Sequence, residues 1–171
     1  KPRRLDIEEP IYYEIIRQKT ASLIASACSA GAASVTDDEQ VIETMRLFGE
    51  KIGIAFQIRD DLFDFGDEDV GKPLGIDIKE KKMTLPLIYA LRQAPASKRR
   101  HIIGLIRRHS EDPAKVREVI EFVKSSGGLE YGQQAMLRYR EEAFAILHSF
   151  PHSETRQSLE DLVVFVTERS R

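Results

Sequence analysis

Three aspartates close together are the residues of this sequence with the clearest potential for chemistry. The segment Gly53–Asp64 reads GIAFQIRDDLFD and contains Asp60, Asp61 and Asp64. If the segment is helical, Asp60 and Asp64 share one face and Asp61 lies about 100° away. Carboxylates this close repel one another, and a bound cation would relieve that repulsion. Because ligand sets made of oxygen alone are typical of hard cations, the spacing favours Mg²⁺.

The residues around these aspartates indicate whether the carboxylates lie on a solvent-exposed helix face or face into a cavity. Acid-rich helical turns are common on protein surfaces, which is the simpler interpretation of the segment taken alone. Gln57, however, continues the carboxylate face one turn earlier, while Phe56 and Phe63 make the rest of the predicted helix apolar. A polar stripe on an otherwise apolar helix indicates a side that faces into a cavity.

Lys19 and Thr20 form a second candidate group, within a predicted helix from Ile11 to about Ala33. A lysine in a helix often extends to solvent, and threonine is ordinary there. The residues that follow are nearly all Ala, Ser, Gly and Cys, which would let another helix approach closely. That face suits tight packing within the subunit or a contact between subunits, and it would place Lys19 at the edge of a crowded interior.

The segment after the aspartates, GDEDVGKPLGIDIKEKK, is predicted to be a loop rich in charges and glycines. It contains Lys72, Lys79, Lys81 and Lys82. One interpretation is a solvated loop; the other is a lid that brings lysines onto a metal-bound polyphosphate and excludes water. Its glycines do not form a P-loop, because no strand precedes them and no Gly-Lys-Ser/Thr follows.

Helical periodicity extends through most of the chain, and no strand-like alternation competes with it. Thr36–Glu39 predicts a capping box for a helix that runs to about Phe65, and Gly31 predicts the end of the helix before it. Asp112-Pro113 predicts another helix start. The sequence also predicts helices from Thr84 to Leu91, Ser97 to His109, Pro113 to Gly127, Leu129 to Phe150 and Glu154 to Glu168. The fold class is therefore predicted to be all-α.

Composition excludes several classes of function. The chain has 171 residues and a net charge of -2, so no general basic excess points to nucleic acid. Cys28 is the only cysteine, which excludes an intrachain disulfide and argues against a thiolate metal site. No apolar run reaches the roughly 18 residues of a transmembrane span. The four histidines show no metal-ligand spacing, and we assign them no role.

The segments KTASL, GIAFQIRDDLFDF and GKPLGIDIKEKKMTLPLIYAL together resemble the trans-isoprenyl diphosphate synthases, or polyprenyl synthetases. Their order and spacing agree with that family from about Tyr12 to Leu91. The resemblance implies an all-α helical bundle of the isoprenoid synthase type. It also implies a prenyltransferase that uses Mg²⁺ to condense isopentenyl diphosphate with an allylic diphosphate, a homodimer and a cytoplasmic location.

The resemblance also implies a role for each matching charged residue. Asp60, Asp61 and Asp64 match the family's second aspartate-rich motif, in which Asp60 chiefly binds the Mg²⁺ that bridges to the allylic diphosphate. Lys72 matches a lysine that contacts this diphosphate when the site closes, and Lys82 matches a second such lysine. These residues would together neutralise the leaving group.

The remaining matches concern substrate contacts before and beside the aspartates. Lys19 also approaches the diphosphate in the family. Thr20 and Gln57 match polar groups that stabilise the allylic carbocation, and Phe56 matches an aromatic residue that packs beside isopentenyl diphosphate. The resemblance supplies no side-chain general base, since the departed diphosphate takes the proton in this family.

Two features of the family do not occur in these 171 residues. They are the first aspartate-rich motif and the Gly-Gly-Lys segment with arginines that hold isopentenyl diphosphate. We therefore expect residues 1–171 to form the C-terminal half of a single polyprenyl synthetase domain, inactive by itself. A fragment, an N-terminal half that is not represented, and a natural non-catalytic relative are the three explanations, and the intact motif favours the first two.

Three further functions are compatible with parts of the pattern. The chain could be a non-catalytic partner subunit that tunes the product length of a complete synthase. A terpene cyclase would also ionise a diphosphate with Mg²⁺, but its second metal motif usually has an Asn/Ser/Glu pattern, unlike Asp60, Asp61 and Asp64. A plain helical bundle with an acidic surface is the third.

Overall fold

The structure is a computed structural model that describes residues 5, 7–66 and 74–168. Within those residues every regular element is helical, which confirms the predicted all-α class. The elements in chain order are α1 (Glu9–Ile16), a π-helical segment (Arg17–Ala21), α2 (Ser22–Ala33), α3 (Glu39–Phe63), α4 (Ile76–Lys79), α5 (Leu85–Gln93), α6 (Ala96–Arg108), α7 (Pro113–Ser125), α8 (Gly128–His148) and α9 (Glu154–Glu168).

The described residues divide into two compact units. The first unit lies between residues 5 and 12 and between residues 60 and 133, and the second holds residues 13–59 and 134–168. Helices α3 and α8 each contribute to both units. No helix in the described ranges is both long enough and apolar enough to cross a membrane. The assignment of residues 1–171 to one part of a single domain stays a prediction.

Two predicted helix boundaries lie where the structure has them, with α2 ending at Ala33 and α3 beginning at Glu39, but the residues predicted to form them do not. Helix α3 is capped by Asp38, whose Oδ1 accepts the amides of Gln40 at 2.9 Å and Val41 at 3.4 Å, whereas the Thr36 hydroxyl accepts only the Asp38 amide. Aspartate is as good an N-cap as threonine, so the residue next to the helix takes the role. Gly31 lies inside α2 and does not end it.

The next two predicted boundaries are confirmed. Asp112 caps α7, because its Oδ1 accepts the amide of Ala114 at 2.9 Å and that of Lys115 at 3.4 Å. Gly127 follows the end of α7 with φ of +73°, a left-handed conformation that favours glycine. Local sequence chemistry therefore sets both ends of this helix.

In the first unit, α5 packs against α6 and α7. The side chains of Leu85, Leu87, Ile102, Ile106 and Val123 are almost fully buried there. Tyr89 of α5 stacks on Tyr131 of α8 with ring centroids 4.2 Å apart, and the Tyr131 hydroxyl donates to Glu9 Oε1 at 2.6 Å. These contacts fix α1 beside α5 and the first turns of α8.

In the second unit, α2 and α3 approach closely, as the small-residue sequence of α2 predicts. A Cβ built on Gly49 would lie 2.7 Å from the Ile24 carbonyl oxygen and 2.8 Å from the Cα of Ala25. One built on Gly53 would lie 2.6 Å from the Cα of Ala21. The helices thus touch backbone to backbone. The core of this unit comprises Phe48, Ile52, Ala143, Leu147 and Val163.

Candidate functional site

The last turn of α3 presents one exposed and one buried aspartate. Asp60 is exposed, whereas the side chain of Asp61 is buried and 7% accessible. The hydroxyl of Tyr12, which is 3% accessible, donates to Asp61 Oδ2 at 2.7 Å. Because an ionised carboxylate offers about four acceptor positions, this hydrogen bond orients Asp61 without exhausting it.

Tyr12 is not among the predicted site residues, and it lies 49 residues before its partner in the chain. The position of Tyr12 in the sequence is the one feature that could have indicated a role for it. Tyr12 precedes Lys19 by about two helical turns, so it lies near a candidate site residue in the chain. Nothing in the sequence, however, says that a tyrosine at this position meets an aspartate of α3.

Asp64 occupies a different environment from the one predicted. Helix α3 ends at Phe63, so Asp64 lies one residue beyond the helix, and its shared face with Asp60 stays a prediction. The Asp64 carboxylate is buried and accepts backbone amides at the start of α4, including that of Asp77 at 3.1 Å. The Gly75 amide also donates to the Asp64 carbonyl at 3.1 Å. Asp64 therefore ties the end of α3 to α4.

The described residues contain no group of three or more His, Cys, Asp and Glu side chains arranged to hold a metal ion. Asp60 and Asp61 nevertheless fit one particular use of Mg²⁺. This ion commonly binds one or two protein carboxylates and takes its other ligands from water and substrate phosphates. The carboxylate oxygens of Asp60 and Asp61 thus suit a Mg²⁺ ion that also binds a phosphate ligand, rather than an ion whose ligands all come from the protein.

Burial raises the pKa of the Asp64 carboxyl to about 6, and the nearby Asp77 carboxylate adds to the rise. Hydrogen bonds from the α4 amides oppose this shift without cancelling it. The negative charge of Asp64 is therefore costly in the folded protein unless a cation compensates it.

The Asp64 shift predicts a pH dependence of stability in metal-free buffer. The folded pKa of about 6 exceeds the ordinary value of 3.8, so this contribution to stability is complete below 3.8 and is lost as the pH rises through 6. The free energy of unfolding should fall by at most about 3 kcal/mol over that range. Urea unfolding at several pH values measures it. Asp64→Asn should abolish this component, and an unchanged profile in that variant would contradict the assignment.

Lys82 forms ion pairs next to Asp64. Its Nζ lies 2.7 Å from Asp77 Oδ1 and 2.8 Å from Glu80 Oε2. Burial disfavours its charged form, but these two carboxylates outweigh burial and raise the pKa of Lys82. Lys82 is thus a permanent cation linked through Asp77 to Asp64. The sequence pattern places Asp77 only among the charges of the loop, while the predicted site residue Lys72 lies outside the described residues.

Thr20 and Gln57 form a second group, which belongs to the second unit. The Thr20 hydroxyl donates to Gln57 Oε1 at 3.0 Å, so the structure brings this predicted pair together. Gln57 is buried, Phe56 is half-buried and Lys19 is exposed. Lys19 and Thr20 lie in the π-helical segment, an element that is rare and frequent at functional sites. The sequence predicts only regular helix there.

Comparison with known proteins connects these residues with a family. The sequence model of the polyprenyl synthetase family matches residues 1–123. The chain belongs to the polyprenyl synthetase family. This membership confirms the resemblance on which the predicted site rests.

Three individual polyprenyl synthetase relatives illustrate the similarity. A short chain isoprenyl diphosphate synthase of Methanothermobacter thermautotrophicus is 39% identical over 168 residues, covering 97% of this chain and 51% of the relative. Heptaprenyl diphosphate synthase component 2 of Geobacillus stearothermophilus is 33% identical, with coverages of 97% and 51%. The crystal structure of a polyprenyl synthase from Caulobacter crescentus, complexed with calcium and isoprenyl diphosphate, is 34% identical with a TM-score of 0.86, covering 97% and 51%. The chain spans about half the length of these relatives.

Proposed function

We propose that the complete gene product is a prenyltransferase that condenses isopentenyl diphosphate with an allylic diphosphate. The observation that carries this proposal is the carboxylate pair at the end of α3. Asp60 is exposed there, and Asp61 is oriented by Tyr12. The relative from Caulobacter supports it, because that protein is complexed with a divalent cation and isoprenyl diphosphate.

In this proposal Asp60 is the principal ligand of Mg²⁺, with Asp61 and Asp64 contributing negative charge. Bound Mg²⁺ would neutralise the diphosphate, which makes it a better leaving group. Tyr12 holds Asp61 in one orientation, and the α4 amides hold Asp64. The protein therefore keeps its carboxylates in place before any ligand arrives, which lowers the cost of reorganisation.

The proposed contacts to diphosphate come from lysines. Asp77 and Glu80 raise the pKa of Lys82, which favours its positively charged form. Lys19 is exposed, which leaves its ammonium group accessible to a ligand. Lys72 stays a prediction from the sequence. Ammonium groups bind phosphate as compact point charges.

Thr20 and Gln57 are proposed to stabilise the allylic carbocation. Because the Thr20 hydroxyl donates a hydrogen bond to Gln57 Oε1, the lone pairs of the hydroxyl oxygen point away from this hydrogen bond. An oxygen polarised in this way presents negative charge to a cation. Phe56 is proposed to pack beside isopentenyl diphosphate.

A condensation assay tests the proposal. The complete gene product is incubated with isopentenyl diphosphate and dimethylallyl, geranyl or farnesyl diphosphate, and products are identified by mass spectrometry. We expect prenyl diphosphates with Mg²⁺ and none in EDTA, and we expect the 171-residue chain by itself to form none. Failure of every allylic substrate in the presence of Mg²⁺ would overturn the proposal.

A second candidate function is that of a non-catalytic partner subunit. One relative is named as component 2 of heptaprenyl diphosphate synthase, which supports a subunit of a heteromeric synthase over a terpene cyclase or a plain helical bundle. A partner subunit would be inactive alone and would change the product length of a complete synthase on mixing. Sedimentation analysis would reveal the heteromer. Homodimerisation and a cytoplasmic location stay predictions.

Tyr12→Phe should weaken Mg²⁺ activation of the complete gene product. Removing a group that orients a metal ligand typically costs 10- to 100-fold in metal affinity or activity. We expect the Mg²⁺ concentration for half-maximal activity to rise about tenfold. Tyr13→Phe is the matched control, since Tyr13 instead packs its ring 5.7 Å from that of Tyr139. Equal effects of the two substitutions would show that Tyr12 has no specific role.

A further inference from the structure

Helix α6 carries positive charge that its own sequence does not compensate. Between residues 94 and 110 the chain has five Lys and Arg residues and no Asp or Glu, although its net charge is -2. The rest of the chain is therefore net negative. Such a segregation of charge is typical of an interaction surface for an anionic partner.

Three of these cations lie on the exposed side of the helix. Arg100, Arg107 and Arg108 are exposed, whereas Ile102 and Ile106 on the other side are fully buried. Arg100 and Arg107 are about two turns apart and project in nearly the same direction, and Arg108 lies one residue, or about 100°, further round on the exposed side.

Gly104 lies between these arginines along the same side of α6. A Cβ built on Gly104 would have nothing within 4 Å, so no side chain obstructs the surface there. We call Arg100, Gly104, Arg107 and Arg108 the arginine face.

The arginines of this face have no carboxylate partner among the described residues. Arg46, by contrast, pairs with Glu43 and Glu50 at 2.7 and 3.0 Å. Glu118 on the adjacent α7 pairs instead with His101 at 2.7 Å and with Lys115 at 3.4 Å. Among the residues that the structure describes, no carboxylate therefore neutralises the charge of the arginine face.

Two other cations near α6, Arg99 and Lys81, donate hydrogen bonds to backbone carbonyls. Arg99 donates to the Leu91 carbonyl at 2.9 Å, which closes the end of α5. Lys81 donates from Nζ to the Arg107 carbonyl at 3.0 Å, so its ammonium group adds positive charge beside the arginine face. The face is thus reinforced at the C-terminal end of the helix.

We propose that the arginine face binds the surface of a bilayer that contains anionic phospholipid. Guanidinium groups bind phosphate through paired hydrogen bonds, and each Lys or Arg near an anionic bilayer strengthens binding about fivefold. The face is about 12 Å long and lies along one straight helix, which a flat bilayer can contact at every arginine simultaneously. Because the apolar side of α6 is buried, attachment is electrostatic and does not require insertion.

Two observations favour a bilayer over nucleic acid. Helix α6 has no Phe, Tyr or Trp on which a base could stack. The chain outside α6 is net negative, so an extended polyanion that tracked along the protein would be repelled. The proposal does not depend on prenyltransferase activity.

Co-sedimentation with vesicles tests this proposal on the 171-residue chain. We compare phosphatidylcholine vesicles with vesicles that contain about 40% phosphatidylglycerol, in buffer near 0.1 M ionic strength and again near 0.5 M. We expect binding only to the anionic vesicles and its loss at high salt. Replacing Arg100, Arg107 and Arg108 together with glutamine should weaken binding about 100-fold, whereas replacing them with lysine should retain most of it.

A matched control removes the same charge elsewhere. Arg17→Gln, Arg46→Gln and Arg138→Gln together should leave vesicle binding within about twofold of the unsubstituted chain. Equal losses in the two triple-glutamine variants, equal binding to phosphatidylcholine alone, or binding to RNA without binding to vesicles would each overturn the proposal. Circular dichroism confirms that the variants compared are folded, and the lysine variant provides the folded comparison if the glutamine variant is not.

Discussion

Asp60→Asn is expected to lower kcat/KM of the complete gene product by about 10²- to 10³-fold. Asparagine keeps the shape of the side chain but removes the negative charge that is proposed to hold Mg²⁺. Since Asp60 is exposed, the substitution should change the free energy of unfolding by no more than about 0.5 kcal/mol. Steady-state kinetics over a range of Mg²⁺ concentrations, with thermal unfolding in parallel, separates lost chemistry from lost stability.

Asp37→Asn is the matched control for this prediction. Asp37 is also an exposed aspartate close to α3, but it precedes the helix and lies outside the aspartate motif. We expect its substitution to leave kcat/KM unchanged within about twofold, because surface changes away from a site rarely matter. If Asp60→Asn keeps full activity and Asp61→Asn loses it, Asp61 is the principal ligand and our assignment of Asp60 is wrong.

Gly49→Ala is expected to lower the free energy of unfolding by about 1–3 kcal/mol. Alanine alone would stabilise a helix interior relative to glycine by up to about 1 kcal/mol. Here, however, the added Cβ would lie 2.7 Å from the Ile24 carbonyl oxygen and 2.8 Å from the Ala25 Cα. These are backbone atoms, so they cannot rotate away and the two helices must separate. Urea denaturation measures the effect.

Gly31→Ala is the control with the opposite expected sign. Gly31 lies inside α2, and a Cβ built on it would have nothing within 4 Å. Its substitution should therefore raise the free energy of unfolding by about 0.5–1 kcal/mol. If both substitutions stabilise the protein, α2 and α3 are not in the close contact described here.

Local chemistry explains why the helices can be predicted so well from the sequence. Asp112 caps α7 through its own side chain, and Gly127 adopts the left-handed conformation that ends it. Such signals depend on residues a few positions apart. The close approach of α2 and α3 also has a signal in the sequence, namely the small residues of α2 and the glycines Gly49 and Gly53 of α3. The start of α3 shows the limit, because Thr36 and Asp38 are equally good candidates by type and only the fold selects Asp38.

The candidate site is less predictable because it depends on contacts between distant residues. Tyr12 meets Asp61 from another helix, and no local pattern encodes that hydrogen bond. Asp64 lies one residue beyond the end of α3, and the α4 amides donate to its carboxylate. Helical periodicity, by contrast, treats Asp60 and Asp64 as equivalent. In the sequence, only the family resemblance relates Thr20 to Gln57, and the π-helical segment that carries Thr20 has no signal there.

The most direct test of the central claim is calorimetric titration of the complete gene product with a non-hydrolysable allylic thiodiphosphate, with and without Mg²⁺. If Asp60 holds a Mg²⁺ shared with the diphosphate, the analogue should bind at least about tenfold more tightly with Mg²⁺ than in EDTA, and Asp60→Asn should remove most of this difference. Equal affinity with Mg²⁺ and in EDTA, or an unchanged Mg²⁺ effect in Asp60→Asn, would contradict the claim that this end of α3 binds a metal–diphosphate pair.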